Sequence, residues 1–174
     1  MILHYLTYNK GDLFITNFKQ IRKLSAKSYF KMSTDKNKIE GAKKLAAYQA
    51  VDNHIKSGFT VGIGSGSTVV YAVERLAQRV KNENLIVKCV PTSFQARQLV
   101  VQHNLRLTDL DVNPKLDVCI DGADEVDSNL TLINGGGGCL LQEKIVASCA
   151  NELIIIADYT KNSSVLGTKY TFSS

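Results

Sequence analysis

The sequence predicts one α/β domain, built on an open, mostly parallel β-sheet with helices on both faces. Short β-branched, apolar segments alternate with longer segments whose apolar residues recur at helical spacing. That alternation is typical of parallel strands joined by right-handed helical crossovers. Two polar loops, one rich in glycine and one acidic, follow strand-like segments at the position where such sheets bind ligands.

The first predicted elements are a helix and a strand. Residues 39–57 are rich in Ala, Lys and Gln, and Gly58 follows them, so we expect a helix that ends there. The β-branched run 59–63 is typical of a strand. After a Gly/Ser loop, helical spacing returns over 68–80 and predicts a second helix.

The same alternation continues toward the C-terminus. The predicted elements are strands at 85–90, 105–107, 116–120 and 153–157, and helices from Pro91-Thr-Ser to about His103 and over 139–150. Residues 153–157 are apolar throughout, as expected for a strand buried on both faces. The helix over 139–150 is apolar almost all round, so we expect it to be buried on both faces as well.

Length and composition limit the class of protein. The chain has 174 residues, of which 44% are hydrophobic and 21% charged, and these values exclude a disordered or collagen-like chain. No run of about 18 apolar residues occurs, so we expect no membrane-spanning segment. The cysteines include no C-x-x-C pair, so we expect buried, reduced thiols rather than disulfides or a zinc site. They are Cys89, Cys119, Cys139 and Cys149.

Positive charge is concentrated at the N-terminus. Residues 1–31 contain six Lys or Arg and one acid, Asp12, a net charge of +5 that equals the charge of the whole chain. The remainder is neutral, which argues against a nucleic-acid partner. We expect a basic, poorly ordered extension over 1–38, an α/β domain over 39–168 and a tail over 169–174. A cytoplasmic location is the expectation, with an organelle presequence in residues 1–31 as the alternative.

A glycine-rich loop, Gly62-Ile-Gly-Ser-Gly-Ser-Thr68, joins a predicted strand to a predicted helix. Backbone N–H groups and hydroxyls at a helix N-terminus form an anion site suited to a phosphate. A nucleotide-binding loop would need a Lys that is absent. The dinucleotide fingerprint would need a third glycine at Ser67 and an acid near Val90. The alternative reading is a glycine turn capped by Ser and Thr.

Two carboxylates, Asp121 and Asp124, follow the apolar strand at 116–120. At the carboxyl end of a buried strand they can orient sugar hydroxyls and exchange protons with them. The alternative is a solvated turn in which both aspartates cap a helix. Their spacing does not match a calcium loop, so we expect no metal there.

A run of four glycines after Asn134 opens directly into the helix over 139–150. Converging N–H groups at a helix N-terminus can stabilise an oxyanion. Glu143 lies one turn from Cys139 and Ala147, and a carboxylate among small apolar neighbours is expected to have a raised pKa, as a general base needs. The alternative is a Glu–Lys pair on the surface. No histidine lies near a motif, so histidine catalysis is not expected.

Taken together and in order, these motifs resemble ribose-5-phosphate isomerase of type A. The resemblance covers about residues 39–167. It is carried by Gly-x-Gly-Ser-Gly-Ser-Thr, Pro-Thr-Ser-Phe-Gln-Ala, Val-Cys-Ile-Asp-Gly-Ala-Asp-Glu, Asn-Gly-Gly-Gly-Gly, Gln-Glu-Lys-Ile-Val-Ala and Ile-Ala-Asp-x-x-Lys. It implies a Rossmann-like fold, a homo-oligomer, and the interconversion of ribose 5-phosphate and ribulose 5-phosphate without metal or organic cofactor.

The resemblance also implies roles for individual residues. Glu143 matches the proton-transferring base, and the pair Asp121 and Asp124 matches the groups that open the sugar ring. The implied substrate-binding residues are Ser65, Gly66, Ser67 and Thr68 for the phosphate with Lys161 and Lys43 as cations, Gly122 and Ala123 between the two aspartates, and Asn134, Gly135, Gly136 and Gly137 in the glycine run.

Two departures from the family pattern leave a second hypothesis open. The family has Lys where this chain has Asn134, so a cation beside the developing enediolate is missing. The chain also stops where the family continues into a small α+β lobe. The alternative to an active isomerase is therefore a relative that binds sugar phosphates without catalysis. A third reading, a nucleotide-binding module, is opposed by the two failed fingerprints.

Overall fold

The computed structural model describes residues 4–9 and 36–169. Five strands form the main sheet in the order β1-β7-β4-β2-β3. The strands are β1 (His4–Asn9), β2 (Thr60–Ile63), β3 (Lys88–Pro91), β4 (Leu116–Asp121) and β7 (Ala150–Ala157). The helices of the described part are α1 (Lys36–His54), α2 (Val69–Glu83), α3 (Phe94–Gln102) and α4 (Leu140–Ser148). A separate hairpin consists of β5 (Glu125–Val126) and β6 (Leu132–Ile133).

The order of the parallel strands creates a crevice at one edge of the sheet. Strands β2, β3, β4 and β7 are mutually parallel, whereas β1 lies antiparallel against β7. The chain moves from β2 outward to β3 and then returns to β4 on the other side of β2, with Ile63 opposite Ile120. Ligands in open α/β sheets bind outside the carboxyl ends of two such strands. The loops after β2 and β4 therefore frame the expected site.

Helices cover both faces of the sheet, as the sequence predicts. Alternate strand residues contribute to two separate cores because successive side chains point to opposite faces. The larger core packs α1, α2 and α3 against strand residues such as Val61 and Ile154. The smaller core packs α4, through Val146, against Cys119 and its neighbours. The glycine at position 62 permits this contact, since a Cβ there would lie 2.9 Å from Val146.

Helix α4 is not buried on both faces, so that prediction is wrong for the described part of the chain. Its inner side, with Val146 and Glu143, is buried, but Leu141 is 75% exposed and Ile145 is 46% exposed. The helix packs against β4 and β7, and among the described residues nothing covers its outer side. The apolar sequence of α4 therefore predicts more burial than the helix has, because, within residues 4–9 and 36–169, only the sheet packs against it.

Most predicted elements are found close to their expected bounds. Helix α1 begins and ends three residues earlier than expected, and the strand expected at 105–107 is reduced to a single bridge between Cys89 and Leu107. Strand β1 and the β5–β6 hairpin were not predicted. β1 lies inside the segment expected to be an extension, and the rest of residues 1–35 and the tail from 170 lie outside the described residues.

The cysteines are free thiols. Cys89 and Cys119 are buried as predicted, but Cys139 and Cys149, which flank α4, are only half-buried. Cys149 lies at the edge of the smaller core. In residues 36–169, no helix is long and apolar enough to cross a membrane.

Candidate active site

The glycine-rich loop and the acidic end of β4 are in direct contact. Gly64 N donates to the carbonyl of Ile120 at 2.8 Å, and Ser65 N donates to Asp121 Oδ1 at 3.1 Å. A Cβ at position 64 would overlap the Asp121 carboxyl and lie 2.6 Å from the Asp121 Cα. Only glycine fits there, so the two predicted motifs meet because the backbone of one loop rests on the side chain of the other.

The side of the site where the sequence predicts phosphate binding begins at helix α2. Thr68 is the N-cap residue, and its side chain makes no capping hydrogen bond. The Lys43 ammonium donates to Ser67 Oγ at 3.1 Å and to Glu40 Oε1 at 2.9 Å. A cation, two hydroxyls and a helix N-terminus therefore lie together, as an anion requires. The amides of Ser65 and Gly66 are occupied by Asp121 and by Gln95 Oε1.

Asp121 lies behind the loop and is 2% exposed. It accepts hydrogen bonds from Ser65 N, from Gly122 N at 2.7 Å and from Asn134 Nδ2 at 3.3 Å. Burial, with a smaller contribution from the charge of Glu143, raises the pKa of Asp121 to about 7, although the three hydrogen bonds oppose the rise. The group can therefore hold or release a proton near neutral pH.

The glycine run is held by the second aspartate. Asp124 Oδ2 accepts from Gly136 N at 2.7 Å, and Asp124 N donates to the carbonyl of Ile133 at 2.8 Å. Gly135 has φ of +99°, and a Cβ there would lie 2.5 Å from the Leu140 side chain. Left-handed backbone and close approach to α4 explain why glycine is needed at this position.

Glu143 projects from the first turn of α4 and is 5% exposed. Its Oε2 atom is buried and has no hydrogen-bonding partner among the described residues. Burial raises the pKa of Glu143, the charge of Asp124 adds to the rise, and a hydrogen bond with Ser65 opposes it. The surface Glu–Lys pair is therefore not what forms here, and the geometry suits a general base.

These groups surround a cleft of about 250 Å³. The predicted residues that line it are Ser65, Gly66, Ser67, Thr68, Gly122, Ala123, Asp124, Asn134, Gly137, Glu143 and Lys161. Four predicted residues do not line the cleft: Asp121, Lys43, Gly135 and Gly136. The first two and Gly136 are hydrogen-bonded to the lining residues Ser65, Ser67 and Asp124, respectively, whereas Gly135 lies against the Leu140 side chain. Lys161 reaches it from a single 3₁₀ turn, Tyr159–Lys161, that follows β7.

The residues after β3 also line the cleft, although the sequence does not predict a role in binding for them. Ser93, Phe94 and Gln95 lie at its wall together with Cys139, Ile156 and Ala157. Ser93 Oγ caps α3 by accepting from Ala96 N at 3.0 Å, and Ser65 Oγ donates to Ser93 Oγ at 2.7 Å. The sequence contains a pattern that indicates this position, because in Pro91-Thr-Ser a strand ends and a helix begins, as at the other loops that line the cleft. In residues 36–169, no cluster of three or more His, Cys, Asp or Glu side chains is arranged to hold a metal ion.

Comparison with known proteins gives one consistent result. Residues 88–173 match the family model described as ribose 5-phosphate isomerase A (phosphoriboisomerase A). The ribose-5-phosphate isomerases of Sus scrofa and Homo sapiens are 60% and 59% identical over 134 residues, which is 77% of this chain. The chain belongs to the ribose 5-phosphate isomerase A family. It spans 44% of the Sus scrofa protein and 43% of the human one.

Solved structures of this isomerase family share the fold. The ribose 5-phosphate isomerase A of Methanocaldococcus jannaschii matches with a TM-score of 0.70 and 41% identity, over 74% of this chain and 56% of that chain. A D-ribose-5-phosphate isomerase in complex with phospho-erythronic acid matches with a TM-score of 0.72 and 38% identity, over 75% and 57%. The Rossmann-like α/β architecture expected from the sequence is thereby confirmed.

Proposed function

We propose that this protein interconverts ribose 5-phosphate and ribulose 5-phosphate, an aldose–ketose isomerisation. The observation that carries the proposal is the buried carboxyl of Glu143, which lines the same cleft as the glycine-rich loop and the glycine run. The reaction needs one base, a surface that stabilises an enediolate and a clamp on a remote phosphate. Membership of the family suggests ribose 5-phosphate as the substrate, and residues at the cleft can meet each of the three requirements.

Glu143 is the proposed proton carrier. In the open-chain aldose it takes the proton from C2, beside the C1 carbonyl, and returns it to C1 after the enediolate has formed. Burial raises the pKa of Glu143, which brings its basicity closer to that needed at neutral pH. Its Oε2 atom makes no hydrogen bond among the described residues, so substrate does not have to displace a protein partner.

The phosphate is proposed to bind at the start of α2. Ser67 and Thr68 offer hydroxyls beside the helix N-terminus, and Lys43 lies 3.1 Å from Ser67 Oγ. Lys161 adds a second cation at the cleft. Binding energy at this remote group positions C1 and C2 near the base, which is how a non-reacting part of a substrate contributes to rate.

Ring opening and enediolate stabilisation are proposed for the two aspartates and the glycine run. Asp124 lines the cleft and is the aspartate that can contact the sugar hydroxyls, whereas the buried Asp121 accepts hydrogen bonds from Ser65 N and Asn134 Nδ2 behind the loop. Gly137 and the amino end of α4 lie where an oxyanion would benefit from N–H groups. Asn134 supplies a neutral amide at the position where the family resemblance implies a cation.

The test is an isomerisation assay on the purified full chain, following ribulose 5-phosphate formed from ribose 5-phosphate. We expect Glu143→Gln, which keeps size and shape, to lower kcat by roughly 10²- to 10⁴-fold. Glu83→Gln is the matched control, because Glu83 is a helical carboxylate paired with Arg79 on the surface, and it should leave kcat unchanged. Equal rates for wild type and Glu143→Gln, with both proteins folded, would refute the proposed chemistry.

A further inference from the structure

Residues 158–169, here called the Lys161 segment, bring a cation to the cleft without belonging to the main sheet. The segment begins after β7 ends at Ala157. Asp158 caps its single 3₁₀ turn by accepting from Thr160 N at 2.9 Å and from the Thr160 hydroxyl. One short turn fixes a side chain poorly by itself, so other contacts must hold Lys161 in place.

The β5–β6 hairpin supplies such a contact through a buried carboxylate. Glu125 is 0% exposed. It accepts hydrogen bonds from two amides of the segment, Gly167 N at 3.1 Å and Lys169 N at 2.8 Å. Burying a carboxylate is costly unless hydrogen bonds compensate it, and these two amides of the segment contribute to that compensation.

Further bonds extend the contact to the residues on either side of Lys161. The Lys169 ammonium donates to the carbonyl of Thr160 at 2.8 Å and to that of Asn162. Asn162 also forms a bridge with Val126, and Ser163 N donates to the carbonyl of Val126 at 2.8 Å. Glu125 thus holds the backbone of Lys169, and the side chain of Lys169 holds the turn that carries Lys161.

We propose that Glu125 is a positioning residue that holds Lys161 at the cleft and thereby sets the affinity for phosphorylated sugars. Glu125 does not line the cleft, and its hydrogen bonds to the amides of Gly167 and Lys169 act on Lys161 through the Lys161 segment. The inference rests on the proposed binding of a phosphorylated sugar in this cleft. It adds a determinant of affinity that lies outside the glycine-rich loop.

The test compares Glu125→Gln with Asp127→Asn, a change on the same hairpin. Asp127 caps the hairpin turn by accepting from Asn129 N and Thr131 N, and neither of these hydrogen bonds involves the segment. We expect Glu125→Gln to raise KM for ribose 5-phosphate about tenfold, with kcat changed less than twofold, since coupling through packed groups is typically of this size. The Kd for phospho-erythronic acid, measured by calorimetry, should rise by the same factor. Asp127→Asn should change neither quantity.

A second background separates positioning from general damage. Lys161→Met removes the cation, so in that background Glu125→Gln should cause no further rise in Kd. A tenfold rise in both backgrounds would overturn the inference. If Glu125→Gln does not fold, Lys169→Met replaces it, because Lys169 is exposed and its ammonium bonds directly to the carbonyls of Thr160 and Asn162 in the turn. For Lys169→Met we expect KM to rise about threefold.

Amide hydrogen exchange gives a readout that needs no activity. In Glu125→Gln the amides of Thr160, Lys161 and Asn162 should exchange at least about tenfold faster, while those of β4 stay protected. Unchanged exchange at these three amides would overturn the inference even if the protein is an active isomerase. Faster exchange in a protein without isomerase activity would support the inference and count against the proposed function alone.

Discussion

The two faces of the sheet divide the work of the molecule unequally. The face covered by α1, α2 and α3 carries the larger core, in which side chains such as Leu76 and Ile154 are almost fully buried. The face covered by α4 carries a small core and a carboxyl, Glu143, where a hydrophobic side chain would pack. The comparison indicates that the face covered by α1, α2 and α3 supplies most of the stability, whereas the face covered by α4 buries a carboxyl that lines the cleft.

The largest effect that would break this comparison concerns stability. Leu76→Ala, in the larger core, should lower the free energy of unfolding by about 2–5 kcal/mol, because truncating a buried leucine leaves a cavity. Leu141→Ala, on the exposed side of α4, should change it by less than about 0.5 kcal/mol. Denaturant unfolding of the full chain measures both. Similar losses for the two variants would contradict the division between faces.

A second effect, of up to a few kcal/mol, concerns pH. Burial raises the pKa of Asp121 to about 7 from an ordinary value near 3.8, so the folded state favours the protonated carboxyl. The stabilising contribution is therefore fully present below the unfolded pKa and is lost as pH rises through about 7. We expect the unfolding free energy of wild type to fall between pH 4 and 7 more steeply than that of Asp121→Asn. Parallel pH profiles would exclude the raised pKa.

The smallest expected effect is on kcat and concerns Asn134, which lines the cleft. Its side-chain amide donates to Asp121. Asn134→Lys should raise kcat about tenfold, because a cation near the enediolate stabilises developing negative charge. The same lysine should also lower the pKa of Asp121, because a nearby cation favours the carboxylate. Asn134→Gln, which adds length without charge, serves as the control; an equal gain there would point to shape rather than charge.

Local patterns were sufficient for the elements and the motifs. The β-branched runs and helical spacing located β2, β3, β4 and β7 and the four described helices within a few residues, since these segments have one dominant period. The glycine-rich loop and the acidic strand end were also assigned correctly to strand ends. Their contact through Gly64 follows from topology, because parallel neighbouring strands end at the same edge.

Long-range pairing accounts for what the patterns missed. Strand β1 pairs with β7, nearly 150 residues away, and the two-residue strands of the β5–β6 hairpin are too short to show a period. The exposure of one side of α4 could not be predicted from its sequence, because a helix that is apolar all round has the same residue pattern whether one or two layers cover it.

The amino-acid sequence alone determined the α/β class and located the glycine-rich loop, the acidic strand end and the carboxyl at position 143, because each depends on residue types within a few positions of one another. Only the tertiary structure decided that Asp121 lies behind the cleft, that the buried Glu143 carboxyl has no hydrogen bond at Oε2 among the described residues, and that Glu125 holds the Lys161 segment. Those facts depend on which distant segments exclude water from each carboxyl, and desolvation is a property of the packed molecule rather than of any stretch of chain.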